Sequence, residues 1–335
     1  MTAAAAPRAP IQEFLRALPA ALRGRIVRDE PLWNHTTLRV GGPADLYLRV
    51  ERADDLAEAA AAAQAVGISW FVLGGGSNVC ISDRGIRGLV LHNACREAAM
   101  GRIARADCGY EFMQLFRDSL RAGLSGLEFA VGIPGTVGGA LVSNAGAYRQ
   151  NICDIVREIE VVERGVRKTV GPEWMEFSYR DSRLRRDRSR PAVLVRVTLE
   201  LAPRPRGEIL ARARENQRQR IFKQPWHPSA GSFFKNVMSR TLLERLPDLP
   251  EPLREAGVVP AGYLSAACGC RGLAVGGARI SLRHGNFVVN RGGATAEDIW
   301  KLTRIVKERV RERFGVELEE EVLFVGDWPA QAGAE

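Results

Sequence analysis

Two glycine-rich segments contain the residue types that bind phosphate groups. They are Leu73-Gly-Gly-Gly-Ser-Asn78 and Gly132-Ile-Pro-Gly-Thr-Val-Gly-Gly-Ala140, and the second is followed by Asn144-Ala-Gly146. Phosphate oxygens accept hydrogen bonds from several backbone N–H groups at once, and glycine permits this close approach because it has no side chain. Each segment alone is compatible with an ordinary tight turn, but the two together favour a pyrophosphate-bearing cofactor. The candidate cofactor-binding residues are Gly74, Gly75, Gly76, Ser77, Asn78, Gly132, Ile133, Pro134, Gly135, Thr136, Gly138, Gly139, Ala140, Asn144, Ala145 and Gly146.

These segments differ from the two commonest nucleotide-binding fingerprints. Gly74 and Gly76 are followed by Val79 where a G-x-G-x-x-G motif requires its third glycine, and no G-x-x-x-x-G-K-[ST] motif occurs. A Rossmann dehydrogenase and a P-loop kinase are therefore both disfavoured.

A predicted β-α-β unit leads into the first glycine segment. Residues 44–50 alternate apolar and polar side chains like a strand, residues 54–66 form an alanine-rich helix that ends at Gly67, and residues 68–73 form a second strand. A predicted helix at residues 110–121 precedes the second glycine segment.

The rest of the chain reads as a β-rich section followed by a mixed one. Turn-forming residues at 203–207 suggest a domain boundary between the two. The predicted elements are strands at 155–162, 166–170 and 193–201, a polar helix at 208–220, strands near 273–275 and 286–289, a capped helix at 295–314 and a strand at 322–325.

Bulk composition is that of a globular protein with a basic surface. The chain has 335 residues, of which 46% are hydrophobic and 26% charged, and its net charge is +9. Arginines cluster at 180–190 and 212–220, but acidic residues interrupt both clusters and no aromatic residues are interleaved for base stacking. Nucleic-acid binding is therefore not expected. The basic charge also fits genomic bias or polyanionic ligands such as nucleotides with pyrophosphates.

Cysteine usage and hydropathy favour a cytoplasmic protein without metal. The six cysteines are scattered without paired C-x-x-C units, so reduced, mostly buried thiols are expected. The N-terminus lacks the features of a secretory signal, and the longest apolar stretch, residues 57–66, is too short and polar to span a bilayer.

Several longer motifs resemble those of the UDP-N-acetylenolpyruvoylglucosamine reductase family. They occur in the expected order from about residue 25 to residue 326. They are Asn34-His-Thr-Thr-Leu-Arg-Val-Gly-Gly-Pro-Ala-Asp45, the glycine segment ending at Asn78, Gly126-Leu-Glu-Phe-Ala-Val-Gly-Ile-Pro-Gly-Thr-Val-Gly-Gly-Ala140, Phe177-Ser-Tyr-Arg-Asp-Ser182, Ala230-Gly-Ser-Phe-Phe-Lys-Asn236 and Gly276-Gly277 before Asn286-Phe287. Several long motifs in order are far more specific than any one of them.

The resemblance implies an α+β fold with two domains. A two-lobed FAD-binding unit of the vanillyl-alcohol-oxidase (PCMH) type is expected at residues 20–203, with its lobes dividing near residue 86. An α/β substrate-binding domain at 204–326 is expected to close over the flavin. The two glycine segments would hold the pyrophosphate and isoalloxazine of a non-covalently bound FAD.

The resemblance also implies three catalytic residues. Arg180 matches the arginine of the Tyr-Arg-Asp-Ser motif, Ser232 the serine of Gly-Ser-Phe-Phe-Lys-Asn, and Glu321 the glutamate before the last strand. A guanidinium would stabilise charge on the substrate carboxylate, the glutamate would position the enol, and the serine would donate a proton to carbon. Because Glu321 is the last of three consecutive glutamates, its assignment depends on the register of that segment.

The implied reaction is the NADPH-dependent reduction of UDP-N-acetylglucosamine enolpyruvate to UDP-N-acetylmuramate, a peptidoglycan precursor. A monomeric enzyme is expected. Arg180 and Ser232 lie close in sequence, which is typical of the shorter-loop branch of the family, and a ping-pong order in one shared pocket is implied. Residues expected to contact the substrate are Tyr179, Lys223, Asn236 and His284.

The chain departs from the family pattern at two places. Val237 stands where proline is usual, which predicts a looser turn, and residues 264–270 replace a segment that usually carries isoleucine and an acidic or amide residue. Three other functions stay open at this point. They are a flavin oxidase of the same fold acting on alcohols or hydroxy acids, a nucleotide-binding regulator without chemistry, and a nucleic-acid binder.

Overall fold

The computed structural model describes residues 8–187, 191–221 and 224–329. Contacts divide these residues into two compact units, the first comprising 8–30, 43–76, 86–187 and 191–221, and the second comprising 31–42, 77–85 and 224–329. The first unit ends after the helix Arg206–Ile221. The sequence instead predicts the domain boundary before that helix, between residues 203 and 204. Two short N-terminal segments, 31–42 and 77–85, also belong to the second unit.

The elements are numbered in chain order. The helices are α1 (Arg8–Ala17), α2 (Ala20–Arg23), α3 (Ala53–Val66), α4 (Phe112–Arg121), α5 (Val137–Val142), α6 (Arg183–Arg186), α7 (Arg206–Ile221), α8 (Arg240–Glu244), α9 (Glu251–Glu255), α10 (Ala261–Ala267) and α11 (Ala296–Phe314). The strands are β1 (Val27–Pro31), β2 (Pro43–Val50), β3 (Trp70–Leu73), β4 (Val79–Ile81), β5 (Ile86–Asn93), β6 (Ala98–Ala99), β7 (Ile103–Asp107), β8 (Leu124–Ser125), β9 (Gly146–Ala147), β10 (Gln150–Asn151), β11 (Val156–Glu163), β12 (Val166–Val170), β13 (Ala192–Glu200), β14 (Ala202–Pro203), β15 (Ser229–Ser232), β16 (Val237–Met238), β17 (Val258–Val259), β18 (Ala274–Val275), β19 (Ala278–Ile280), β20 (Phe287–Asn290) and β21 (Leu323–Val325).

The first sheet of unit one has the strand order β1-β2-β5-β3, in which β2 and β3 both run parallel to β5. Helix α3 buries a face of alanine and leucine in the same hydrophobic core as β2 and β5, and it ends at Gly67 with φ +73°. Glycine is favoured at such a left-handed helix end because it has no Cβ to clash. The predicted β-α-β unit is confirmed, but its two strands are separated by β5.

The second sheet of unit one is antiparallel, with the order β12-β11-β13-β7-β6. Its inner face shares a core with α4, where Phe112 and Leu115 are fully buried with Ile159 and Val197. The three strands predicted for the β-rich section are confirmed as β11, β12 and β13. This core anchors α4 at a point where Phe112 donates a backbone hydrogen bond to the Gly135 carbonyl (3.0 Å), so the sheet positions the second glycine segment.

Unit two is built on the antiparallel sheet β15-β20-β19-β18 and the long helix α11. Helix α11 begins with a capping box between Thr295 and Asp298, as the sequence predicts, and buries an apolar stripe in the core of this unit. Val237 starts β16 and pairs with Val259, so this stretch is an ordered strand despite the missing proline.

All six cysteines are free thiols, four of them buried and two partly exposed, as predicted. Burial raises the pKa of every one of them, and the pKa of Cys95 reaches about 12. Over the described part of the chain, none of the helices has both the length and the apolar content that a bilayer crossing needs.

Candidate active site

The two glycine segments touch each other in unit one. A Cβ atom on Gly74 would lie 2.4 Å from the Thr136 hydroxyl, and one on Gly75 would lie 2.8 Å from the Gly135 Cα. Both distances are below van der Waals contact, so only glycine fits without a shift at these two positions. The structure therefore brings together two loops that are about 60 residues apart in sequence and whose pairing the sequence does not reveal.

Backbone bonds hold the second segment in place. Gly138 donates to the Cys108 carbonyl (2.7 Å), and the Thr136 side chain caps α5 by accepting a bond from the Gly139 N–H (3.3 Å). Gly75, Gly132 and Gly139 are exposed, so the touching loops present backbone rather than side chains to solvent. This surface fits a pyrophosphate-bearing cofactor such as FAD, because its oxygens need close backbone approach.

Arg180 lies against the Asn144–Gly146 loop in the same unit. Its guanidinium donates to the carbonyls of Asn144 (3.3 Å) and Gly146 and to the Asn151 side-chain oxygen (3.4 Å). Asn144 in turn donates from its side chain to the Ser178 carbonyl (2.9 Å) and has φ +42°. The predicted catalytic arginine and the last part of the predicted cofactor loop are thus parts of one hydrogen-bonded assembly.

A tight turn presents Tyr179 and Arg180. Ser178 and Asp181 exchange backbone bonds (3.1 and 3.2 Å), and Arg180 has φ +53°. A non-glycine residue in this region is strained, and such strain is concentrated at functional sites. Tyr179 is 45% exposed, and the Arg180 guanidinium carbon lies 5.3 Å from the centre of its ring. The turn offers a cation and an aromatic face together.

Nearby arginines of the basic cluster have acidic partners. Arg183 is buried against Glu163 (2.6 Å) and lies over the Trp174 ring at 3.9 Å. Arg185 and Arg186 both pair with Asp181 (3.8 and 3.4 Å). These arginines support the turn and do not form an unpaired basic surface. Residues 188–190 of this cluster lie outside the described residues.

Ser232 and Glu321 lie on adjacent segments of unit two. Ser232 ends β15, and the next residue, Phe233, accepts hydrogen bonds at its carbonyl from the N–H groups of Glu321 (2.8 Å) and Val322 (3.3 Å). Phe234 and Glu320 form an isolated antiparallel bridge. The segments of two residues that are 89 positions apart in sequence are therefore held beside one another by backbone hydrogen bonds.

The three consecutive glutamates have different surroundings. Glu319 forms an ion pair with Lys235, and Glu320 forms one with Lys307 of α11 (3.3 Å). Glu321 is the one whose backbone N–H bonds to Phe233 and whose carbonyl accepts a bond from the Asn78 side chain (3.0 Å). Glu319 and Glu320 thus each bond to a lysine, and Glu321 is the one of the three whose backbone N–H joins it to the segment that follows Ser232.

The other predicted site residues of unit two have identifiable contacts. Ser77 and Asn78 belong to this unit, whereas Gly74 to Gly76 belong to the first. The Asn236 side chain accepts a bond from the Ala261 N–H at the start of α10 (3.2 Å), and His284 Nδ1 accepts one from the Asn286 N–H (3.1 Å). Both contacts shape the unit itself, and substrate binding by either residue stays a prediction. Lys223 lies outside the described residues.

Comparison with known proteins gives matches over both units. Residues 44–165 match a family described as an FAD binding domain, and residues 223–325 match the C-terminal domain of UDP-N-acetylenolpyruvoylglucosamine reductase. The chain is 40% identical to UDP-N-acetylenolpyruvoylglucosamine reductase of Heliobacterium modesticaldum, covering 91% of this chain and 92% of the relative. It is 41% identical to the protein of the same name from Desulfosudis oleivorans, covering 94% and 99%. The crystal structure of this reductase from Thermus caldophilus superposes with a TM-score of 0.71 at 36% identity, covering 91% of this chain and 98% of that one.

The FAD-binding domain and the geometry of its glycine loops define a flavin-dependent oxidoreductase, and the predicted fold class is confirmed. The extent and identity of the matches then fix the family. The chain belongs to the UDP-N-acetylenolpyruvoylglucosamine reductase family.

Substitution of Gly75 tests the contact between the glycine loops. We expect Gly75→Ala to weaken FAD binding about 5- to 150-fold, because its Cβ would displace the Gly135 backbone at a cost of about 1–3 kcal/mol. Flavin fluorescence titration measures the dissociation constant. Gly207→Ala is the matched control, because a Cβ there meets no atom within 4 Å. Equal FAD affinity in Gly75→Ala and wild-type protein would show that the loop contact does not shape the cofactor site.

Proposed function

We propose that this protein catalyses the NADPH-dependent reduction of UDP-N-acetylglucosamine enolpyruvate to UDP-N-acetylmuramate with non-covalently bound FAD. The single observation that carries the proposal is the pairing of the Ser232 and Glu321 segments through the Phe233 carbonyl (2.8 Å). It is supported by relatives named for this reductase activity and by a C-terminal domain of that family.

Each residue has a chemical role in the proposed reaction. Bound FAD, once reduced by NADPH, would supply the hydride that adds to the enolpyruvyl double bond. Arg180 would hold the substrate carboxylate and stabilise the negative charge that develops on it, because a guanidinium matches a carboxylate in charge and geometry. Ser232 would donate the proton to the neighbouring carbon, and Glu321 would orient the enol oxygen. Tyr179, Lys223, Asn236 and His284 would contact the sugar nucleotide.

The C-terminal domain separates this proposal from a flavin oxidase of related fold. Its sequence matches the reductase family over residues 223–325, which include Ser232 and Glu321. Since both proposed substrates are nucleotides, we propose that the enzyme acts in the cytoplasm. We also propose that it acts as a monomer.

Two anaerobic half-reactions test the proposed function. NADPH should bleach the flavin of the purified protein, and UDP-N-acetylglucosamine enolpyruvate should then restore its colour with stoichiometric formation of UDP-N-acetylmuramate. Bleaching without recovery would retain the flavoprotein assignment and reject the substrate. NADH in place of NADPH serves as the comparison for the choice of reductant. A protein that cannot be loaded with FAD would reject the proposal as a whole.

A further inference from the structure

Asn286 contacts the segment that follows Ser232 in an unusual way. Its side-chain oxygen accepts a hydrogen bond from the Phe234 N–H (2.9 Å), and its side-chain nitrogen donates to the Phe234 carbonyl (2.8 Å). Its own backbone carbonyl accepts a bond from the Phe233 N–H (2.7 Å). A carboxamide carries one donor and one acceptor group like a peptide bond, so Asn286 replaces the neighbouring strand that this segment lacks.

The replacement is needed because the regular strand pairing ends at Ser232. The pairing of β15 with β20 is irregular between Ser229 and Ser232, where Gly231 has φ +80°. β20 begins at Phe287, opposite Ser232, so residues 233 and 234 extend beyond it. An unpaired buried backbone segment is costly, and Phe233 and Phe234 are both about 1% exposed.

The same segment holds Glu321 on its other side. The Phe233 carbonyl accepts a hydrogen bond from the Glu321 N–H (2.8 Å), and Phe234 forms an antiparallel β-bridge with Glu320. Residues 232–234 therefore lie between Asn286 and the glutamate segment. A displacement of Phe234 would move Ser232 and Glu321 together, because both are bonded or adjacent to the two phenylalanines.

Asn286 is itself held firmly. It is 3% exposed, and its N–H donates to His284 Nδ1 (3.1 Å). The turn in which it lies packs on the start of α10, where a Cβ on Gly285 would lie 2.5 Å from the Gly262 carbonyl. The carboxamide thus has little freedom, which is what a residue that fixes the position of another must have.

We propose that Asn286 is a positioning residue that holds Ser232 and Glu321 in register for the protonation step. This inference rests on the proposed function. It assigns Asn286 no contact with substrate, so its effect must pass through Ser232 and Glu321.

Asn286→Ala removes both side-chain bonds to Phe234, and Asn286→Asp keeps the acceptor and removes the donor. We expect reoxidation by the enolpyruvyl substrate to slow about 100-fold in Asn286→Ala, because a displacement near 1 Å costs that much. Asn286→Asp should slow it by at least as much, because a buried carboxylate would face the Phe234 carbonyl oxygen. Reduction by NADPH should stay within about threefold of wild type. In a Ser232→Ala background, either substitution should slow reoxidation further by less than about threefold, because the effects of residues that act as one unit are not additive.

Hydrogen exchange gives a readout that does not depend on activity. The peptide covering 231–236 should exchange faster in Asn286→Ala than in wild type, and Ser232→Ala should not change it. Asn290→Ala is the matched control, since Asn290 is also buried but lies at the other end of β20, where it bonds to the Leu38 carbonyl (3.0 Å) and the Gly292 N–H (2.8 Å). It should lower stability without changing the ratio of the two half-reactions.

The outcomes separate this inference from the proposed function. Equal slowing of both half-reactions, or full additivity with Ser232→Ala, would overturn the positioning role while wild-type turnover stands. If the wild-type reduced protein is not reoxidised by the sugar nucleotide, the proposed function fails. Hydrogen exchange then tests only whether Asn286 holds the 231–236 segment. Unchanged exchange of that peptide in Asn286→Ala would overturn the positioning role.

Discussion

Replacing Ser232 with alanine should slow reoxidation by UDP-N-acetylglucosamine enolpyruvate about 10²- to 10⁴-fold, the usual contribution of a positioned proton donor. Reduction of the flavin by NADPH should be unaffected, because this half-reaction transfers no proton to the sugar nucleotide. Rapid-mixing measurements of the two half-reactions under anaerobic conditions separate these steps. If only the rate of reoxidation at saturating sugar nucleotide falls, Ser232 is identified as the acid. A defect in binding would instead change the dependence of that rate on the sugar nucleotide concentration.

Two further variants make the Ser232 experiment decisive. Ser232→Cys retains a transferable proton and should recover part of the rate, with a dependence on pH that reflects a thiol pKa near 8.5. Ser229→Ala removes a hydroxyl from the same strand, where Ser229 pairs with Val289, and should leave both half-reactions unchanged. If Ser232→Ala retains the wild-type rate of reoxidation, the proton must come from another group or from water.

Local sequence patterns predicted several of the elements that position the site, including α3, α4 and α11, but not α5 or β15. Helix α3 ends at Gly67 and α11 begins at Thr295 as predicted, because the signals for these ends are short and lie within the helix termini themselves. Strand β5 was missed although it is central to its sheet. Gly88 interrupts its pattern with φ +99°, and a Cβ there would lie 2.2 Å from the Ser69 carbonyl. That constraint comes from a distant segment, so no local pattern shows it.

The site residues divide in the same way. The glycine segments could be identified from composition, but the contact of Gly75 with Gly135 depends on tertiary packing. The proposed catalytic residues came from resemblance to the family, since an isolated serine or arginine carries no signal of its own. Asn286 belonged to a recognised motif, yet its proposed role required knowing that Phe234 lies beyond the end of the pairing between β15 and β20. Pairwise geometry of this kind cannot be read from residue types alone.

Replacing Arg180 with methionine should slow the reoxidation step about 10²- to 10³-fold, the loss expected when a preorganised donor to developing charge is removed. Arg180→Lys should recover only part of this loss. It keeps the positive charge but lacks the planar fork that reaches the carbonyls of Asn144 and Gly146 and the Asn151 oxygen together. Arg117→Met removes an exposed arginine of α4 and serves as the control for lost net charge.

The contacts of Arg180 allow a second explanation of such a loss, and FAD affinity distinguishes the two. If the arginine only holds the 144–146 loop, its substitution should raise the FAD dissociation constant, and saturating FAD should restore the rate. If it stabilises charge on the substrate, FAD affinity should change little while reoxidation stays slow at saturating FAD. The φ of Arg180, +53°, does not decide between the two explanations, because seven other non-glycine residues of the described chain, Arg39, Arg149 and Arg164 among them, also have positive φ. The dependence of the reoxidation rate on FAD concentration decides between them.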